Sequence, residues 1–325
     1  MNKMYKVMTS AALAGVLVGG GAWAITSKSG DAAAAKAPEV QNIAAQKTEK
    51  TAGITQNGIT LKVSKAVHDG NYIHISLQRS GKGLVGGMTE RKFDEKTEKE
   101  IVEKGAIKDI QVLINGKNTY DLGGGSMDKR PDMRWGPGST PDTAIIHLSD
   151  PSWLGGEQYS FPDKFKLTAK ITLEGVSKPY TFDLSMQKSA DKATALKPNV
   201  TKKTGKLTVT LSKMNLTSTS SRVQLIVKGL EKGKSSDISY EFWDDQGSEL
   251  DILSGRGSDE NNKAGDMYHD FVLSPLGKNA KSIIVKAFKP EYAEDGATSG
   301  AYKLDADGNI VKSYVKELEM KVKVK

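Results

Sequence analysis

The chain has 325 residues, 26% of them charged, with a net charge of +8 and no cysteine. The missing cysteines exclude disulfides, thiolate metal sites, cysteine nucleophiles and lipid attachment through a thiol. Charges of both signs are interleaved throughout, so no segment forms the basic patch that a nucleic acid requires, and the length suggests about two domains.

Residues 1–24 have the form of a targeting segment. Lys3 and Lys6 precede an apolar run from Val7 to Val18, and Ala22-Trp23-Ala24 supplies a small-x-small cleavage signal through Ala22 and Ala24. Extended to Ile25, the same run is long enough for a retained membrane anchor, so signal peptide and anchor both stay open. Either way the remainder is expected outside the cytoplasm, secreted or held at the outer face of the cytoplasmic membrane. Membrane contact is expected only through an uncleaved anchor. Residues 25–52 are rich in Ala, Lys, Gln and Thr without a hydrophobic period, the composition of a flexible linker.

From residue 53 the pattern turns to period two. Ile59, Leu61 and Val63 alternate with polar residues, His68-Asp69-Gly70-Asn71 supplies a turn, and Ile73, Ile75 and Leu77 alternate again. This is the signature of two half-buried strands. About 150 residues later Leu207, Val209 and Leu211, then Val223, Leu225 and Val227, repeat it, with Ser64-Lys65 and Ser212-Lys213 at the same place. Further runs pair in the same order: 107–114 with 236–242, 143–149 with 268–274, 165–173 with 280–288, and 180–186 with 314–322. The repeat predicts an all-β chain of two tandem β-sandwich domains, 53–190 and 191–325, divided near Lys197-Pro198. Alternation assigns Ile73, Ile75 and Leu77 to the core, and Thr60, Lys62, His74 and Ser76 to solvent.

Four intervening segments carry their own expectations. Phe93, Thr97 and Ile101 recur at helical spacing before Gly105, which predicts an amphipathic helix over 88–105. Asn115-Gly116 predicts a tight hairpin. Gly123 to Pro141 reads as a long Gly/Pro-rich loop, in which Arg134 and Trp135 either meet a ligand or partner or form a plug between the sheets. Asp305, Asp307 and Asn309 resemble a calcium loop, but Ile310 and Lys316 stand where such a loop needs Gly and Glu, and a turn is expected.

No catalytic constellation fits this frame. His68, His74, His147 and His269 lack metal-ligand spacing. Ser185-Met-Gln-Lys188 and Lys203-Thr204-Gly205 match two motifs of penicillin-recognising enzymes, yet they lie close together in a β pattern and the third motif is absent. No catalytic, cofactor-binding or metal-binding residue is therefore expected, and the chain is expected not to be an enzyme. A hydrolase with an unrecognised acidic site is the remote alternative.

The stretch Gly58-Ile-Thr-Leu-Lys-Val-Ser-Lys-Ala-Val-His-Asp-Gly-Asn-Tyr-Ile-His-Ile-Ser-Leu77 resembles the opening hairpin of an immunoglobulin-like ectodomain family. That family is found outside the membrane in Gram-positive, spore-forming bacteria and carries the titles anti-sigma-factor ectodomain and domain of unknown function. From Leu196-Lys-Pro-Asn onward the second unit resembles its companion C-terminal immunoglobulin-like domain. The resemblance implies immunoglobulin-like sandwiches and a binding or sensing role at the cell envelope, with a protein or a cell-wall polymer as partner. Only six residues precede the apolar run, too few for a sigma-binding domain, so direct sigma-factor control is not expected. A wall- or glycan-binding module is the alternative function.

Overall fold

The structure, a computed structural model, describes residues 51–94, 96–127, 129–190, 193–231, 236–258, 266–297 and 299–324. The targeting segment with Ala22 and Ala24, and the linker up to residue 50, lie outside the described residues.

Local backbone chemistry starts the first sheet. Asn57 and Gly58 have φ of 49° and 76°, so they form a two-residue turn between β1 (Ile54–Gln56) and β2 (Ile59–His68). Positive φ at both central residues matches the twist of the flanking strands, and Asn and Gly tolerate it best. After β2 come β3 (Ile73–Gly81), the short pair β4 (Lys92–Asp94) and β5 (Lys99–Ile101), β6 (Ile107–Ile114) and β7 (Lys117–Asn118). Then follow β8 (Asp132–Pro137), β9 (Thr143–Ser149), β10 (Lys164–Leu173) and β11 (Tyr180–Gln187). One sheet runs β1-β2-β3-β9-β8 and the facing sheet β11-β10-β6-β7.

The second unit repeats this frame. Its strands are β12 (Thr194–Leu196), β13 (Val200–Thr204), β14 (Leu207–Leu216), β15 (Ser221–Lys228), β16 (Ser239–Asp244) and β17 (Ile252–Ser258). They are followed by β18 (Met267–Leu273), β19 (Ser282–Pro290), β20 (Lys312–Tyr314) and β21 (Met320–Lys323). One sheet runs β12-β14-β15-β18-β17, with β13 also on β14; the other joins β16, β19, β20 and β21. In both units the first, second, fifth and fourth main strands share one sheet while the third, sixth and seventh share the other. That is the strand distribution of the immunoglobulin sandwich.

The duplicated serines have a structural meaning. The β2–β3 register shifts between Val63 and Lys65, and the β14–β15 register shifts between Leu211 and Lys213. Ser64 and Ser212 are thus the extra residue of a β-bulge at the same place in each unit, which reverses the alternation beyond it. Two apolar cores result. Ile59, Leu61, Val63, Ile73, Ile75 and Leu77 lie in the first, and Val209, Leu211, Val223, Leu225 and Val227 in the second, all fully buried. Leu207 packs against the second core while partly exposed.

Three expectations need correction. Among the described residues of 88–105 there is no helix. The Asp94 carboxylate instead accepts from the Lys96 amide and the Thr97 hydroxyl, and Glu98 takes φ 52°, which closes the β4–β5 turn. A side chain bonding its local backbone competes directly with helix formation. The supposed loop over 123–141 contains β8, whose Met133, Arg134 and Trp135 pair with Leu148, His147 and Ile146 of β9. Finally, His74 points away from the core as alternation requires, yet it is buried. The two units pack against each other over that face.

Two turns meet at this junction. The Asp69 carboxylate accepts hydrogen bonds from the hydroxyls of Thr217, Thr219 and Ser220 at 2.8, 2.6 and 2.5 Å. The Asn71 amide donates to the Asn215 carbonyl and the Ser220 hydroxyl. Arg222, on β15, is 1% exposed and pairs with Asp270 of its own unit at 2.6 Å and Asp150 of the first unit at 3.2 Å. The Trp153 ring lies 4.4 Å from the Lys213 ammonium and 4.8 Å from the Arg222 guanidinium.

Candidate binding face

Arg134 and Trp135 are adjacent, half-buried residues of β8. The half-buried Trp135 ring, on β8, packs against the first core under the Arg91 guanidinium, 5.6 Å from its centroid. Arg134 pairs with Asp132 at 2.8 Å and donates to the Gly255 carbonyl across the junction at 3.1 Å. The calcium-like loop is a turn. Its Asp305 carboxylate accepts from the backbone amides of Asp307 and Asn309, and these bonds hold it below the usual carboxylate range.

A different cluster lies on the outer face of β16, β19 and β20. Tyr240 and Phe242 of β16 enter the core, so Glu241 and Trp243 face out. Across the pairing, Ser239 lies opposite Phe288, Glu241 opposite Lys286, and Trp243 opposite Ile284. Phe288 in turn lies opposite Tyr314 on β20. Three aromatic side chains thus share one sheet face with a carboxylate at its centre.

Glu241 is buried and fully engaged. One oxygen accepts from Trp243 Nε1 at 2.8 Å and Tyr314 Oη at 2.7 Å, and the other from Lys312 Nζ at 2.8 Å. Burial pushes its carboxyl up, but the bonds from Lys312, Tyr314 and Trp243 outweigh that and hold it below the ordinary value. Exposed Glu249, the β-bridge partner of Trp243, is raised, first by desolvation and then by the Glu241 charge. Lys286 Nζ sits 4.1 Å from the Trp243 centroid and 5.9 Å from that of Tyr314, while Lys312 Nζ lies 4.9 Å from Phe288. The face therefore alternates rings with cations and leaves Tyr314 46% exposed.

Among the described residues, the matching face of the first unit has no such cluster. The outward residues of β6, β10 and β11 include Asp109, Gln111, Lys166, Thr168 and Asp183, joined by a Thr168–Asp183 hydrogen bond and a Lys166–Asp183 pair. The one signal in sequence for the second-unit face is Tyr240-Glu241-Phe242-Trp243, a strand with aromatics on both faces. Tyr314 and Phe288 are far apart in sequence and only pairing joins them.

Residues 193–322, the second unit, match a family of unknown function, DUF5643. No curated protein matches the sequence. Among solved structures, bovine butyrophilin aligns over 80% of this chain and 93% of its own at 8% identity, but a TM-score of 0.21 carries no argument. The crystal structure of the conserved domain protein from Bacillus anthracis superposes with a TM-score of 0.50 at 12% identity, over 86% of this chain and 92% of that chain, a likeness of fold alone. Neither the family nor the two structures names an anti-sigma factor.

Proposed function

We propose that the protein is an exported, non-catalytic binding module of the cell envelope, which grips a glycan-containing wall polymer with the outer face of β16, β19 and β20. The carrying observation is the contrast between the units: Trp243, Phe288 and Tyr314 share this face, whereas the matching face of the first unit presents paired polar groups. Rings on a flat sheet offer sugar rings an apolar surface, and Lys286, Glu249 and Tyr314 supply hydroxyl partners at its edges. Glu241 suits proton transfer poorly, because it is held ionised and both oxygens are taken. The targeting segment supports export, and the resemblance to envelope ectodomains points to the same compartment. A protein partner is the competing reading of that resemblance.

Co-sedimentation of the full chain with isolated wall polymer tests this. Replacing Trp243 and Tyr314 together by Ala should weaken retention about tenfold or more, with an unchanged β-sheet circular dichroism signal. Equal retention of the variant would move the site elsewhere. No retention of the parent chain, with a protein captured by cross-linking in envelope fractions, would replace the glycan by a protein partner.

A further inference from the structure

We propose that the junction is an acid-opened joint: acidification separates the two units at their facing sheets while both apolar cores stay folded. The two cores share no residue, and the contacts named above between the units are mostly polar. Each core also holds a buried histidine, His68 against Phe161 and Phe165 and His269 against Tyr240 and Phe271, so the measurement follows joint and cores separately.

The groups concerned lie together. On the outer face of the first sheet, one cross-strand row runs Val67, His74, His147 and Arg134. It ends at the Gly255 carbonyl of the second unit, which Arg134 holds. His74 Nδ1 and His147 Nε2 are 2.9 Å apart, and His74 Nε2 lies 2.7 Å from the Ser76 hydroxyl. One proton serves the histidine pair, so adding a proton to each ring would put two N–H groups face to face. Lys65 and Arg134 add positive charge nearby, Asp69 adds negative charge, and the Tyr72 ring edge closes on His147 at 5.2 Å. Across the junction stand Arg222, Lys213, Asp270 and Arg256, with Asp150 and Asp132 on the first unit's side.

The two histidines shift in the same sense. Burial lowers His74 to about 3 and His147 to about 4, the latter against the attraction of Asp69. In an opened joint both return towards the ordinary histidine value of about 6.5, so the open state binds more protons and gains on the closed one as pH falls below that. Burial raises the Asp150 carboxyl, but the Arg222 charge and bonds from Ser152 and Phe161 hold it low overall. The Ser152 and Phe161 bonds lie within the first unit, so opening removes only the burial and the Arg222 charge, which act in opposite directions, and the histidine pair carries the pH response.

The test follows the full chain from pH 7 to pH 3 by small-angle scattering and peptide-resolved hydrogen exchange. The expected result is a rise in radius of gyration, with faster exchange at 69–72 and 217–222 while β10 and β19 stay protected. Loss of protection at all four places together, or no change in size down to pH 3, would overturn the proposal. Arg134→Gln, at a half-buried side chain outside both cores, should raise the pH midpoint of opening and leave β10 and β19 protected. An unmoved midpoint would count against the row.

Discussion

His74 and Arg222 occupy the same place in the two units, each the second residue of the strand after the duplicated turn and each pointing away from its core. Both are buried, Arg222 against Asn71 and Asp150 of the first unit and His74 on the sheet face from which Arg134 reaches the second unit, yet the chain desolvates them in opposite ways. His74 is kept neutral against His147, whereas Arg222 stays charged between Asp270 and Asp150. Burial lowers the Arg222 affinity for its proton, but Asp270 and then Asp150 more than restore it. Strand alternation therefore assigns a face, and only the neighbour on that face assigns the solvent. The two units share a strand frame and differ at these outward positions.

The largest expected effect comes from breaking one core. Ile75→Asp should unfold the first unit, because an unpaired buried charge costs several kcal/mol, comparable with the stability of a whole domain. Independent tandem units would leave the second unit's melting midpoint untouched. A shared junction should lower it, since unfolding the first unit removes Asp150 from Arg222 and the Asp69 carboxylate from Thr217, Thr219 and Ser220. Differential scanning calorimetry decides between them.

Next is Arg222→Leu, which leaves Asp270 and Asp150 buried without their cation. Breaking such a network by removing one partner costs about 3–5 kcal/mol, read from urea unfolding. A cost below about 1 kcal/mol would mean that water reaches the carboxylates and that the position behaves as surface.

His74→Asp probes the same contrast from the other side. An outward-facing site would lose under about 1 kcal/mol. A buried one loses the bond to His147 and must hide a carboxyl, at about 1–3 kcal/mol. Chemical denaturation separates the two outcomes, and a cost near zero would return His74 to solvent.

Asp305→Ala should have the smallest effect. The amides of Asp307 and Asn309 lose their acceptor and should exchange faster, with the global midpoint unchanged. A calcium-dependent fall in that midpoint on substitution would instead reveal a metal role for the turn.

Much of the frame is legible in the residue pattern. Ile59, Leu61 and Val63 beside Ile73, Ile75 and Leu77 can be placed because a strand repeats every two residues and a core admits one face. Asn115-Gly116 can be placed because few residues accept positive φ at two successive positions, and Asn57-Gly58 turns in the same way. Trp135 reads as part of a loop in the sequence, and pairing of β8 with β9 places it on a strand against the first core. The hairpin over 92–101 is hidden because Phe93, Thr97 and Ile101 match a helical period, while the Asp94 carboxylate, accepting from the Lys96 amide and the Thr97 hydroxyl, favours the turn.

Strands, their order and their apolar faces are written in the amino-acid order itself, because they follow from local period and turn chemistry. What lies outside the cores is settled by packing. Whether His74 and Arg222 see water depends on a partner surface about 150 residues away, and the gathering of Glu241, Trp243, Phe288 and Tyr314 depends on register between distant strands. Exposure and proximity are properties of the packed chain, and no local pattern encodes them.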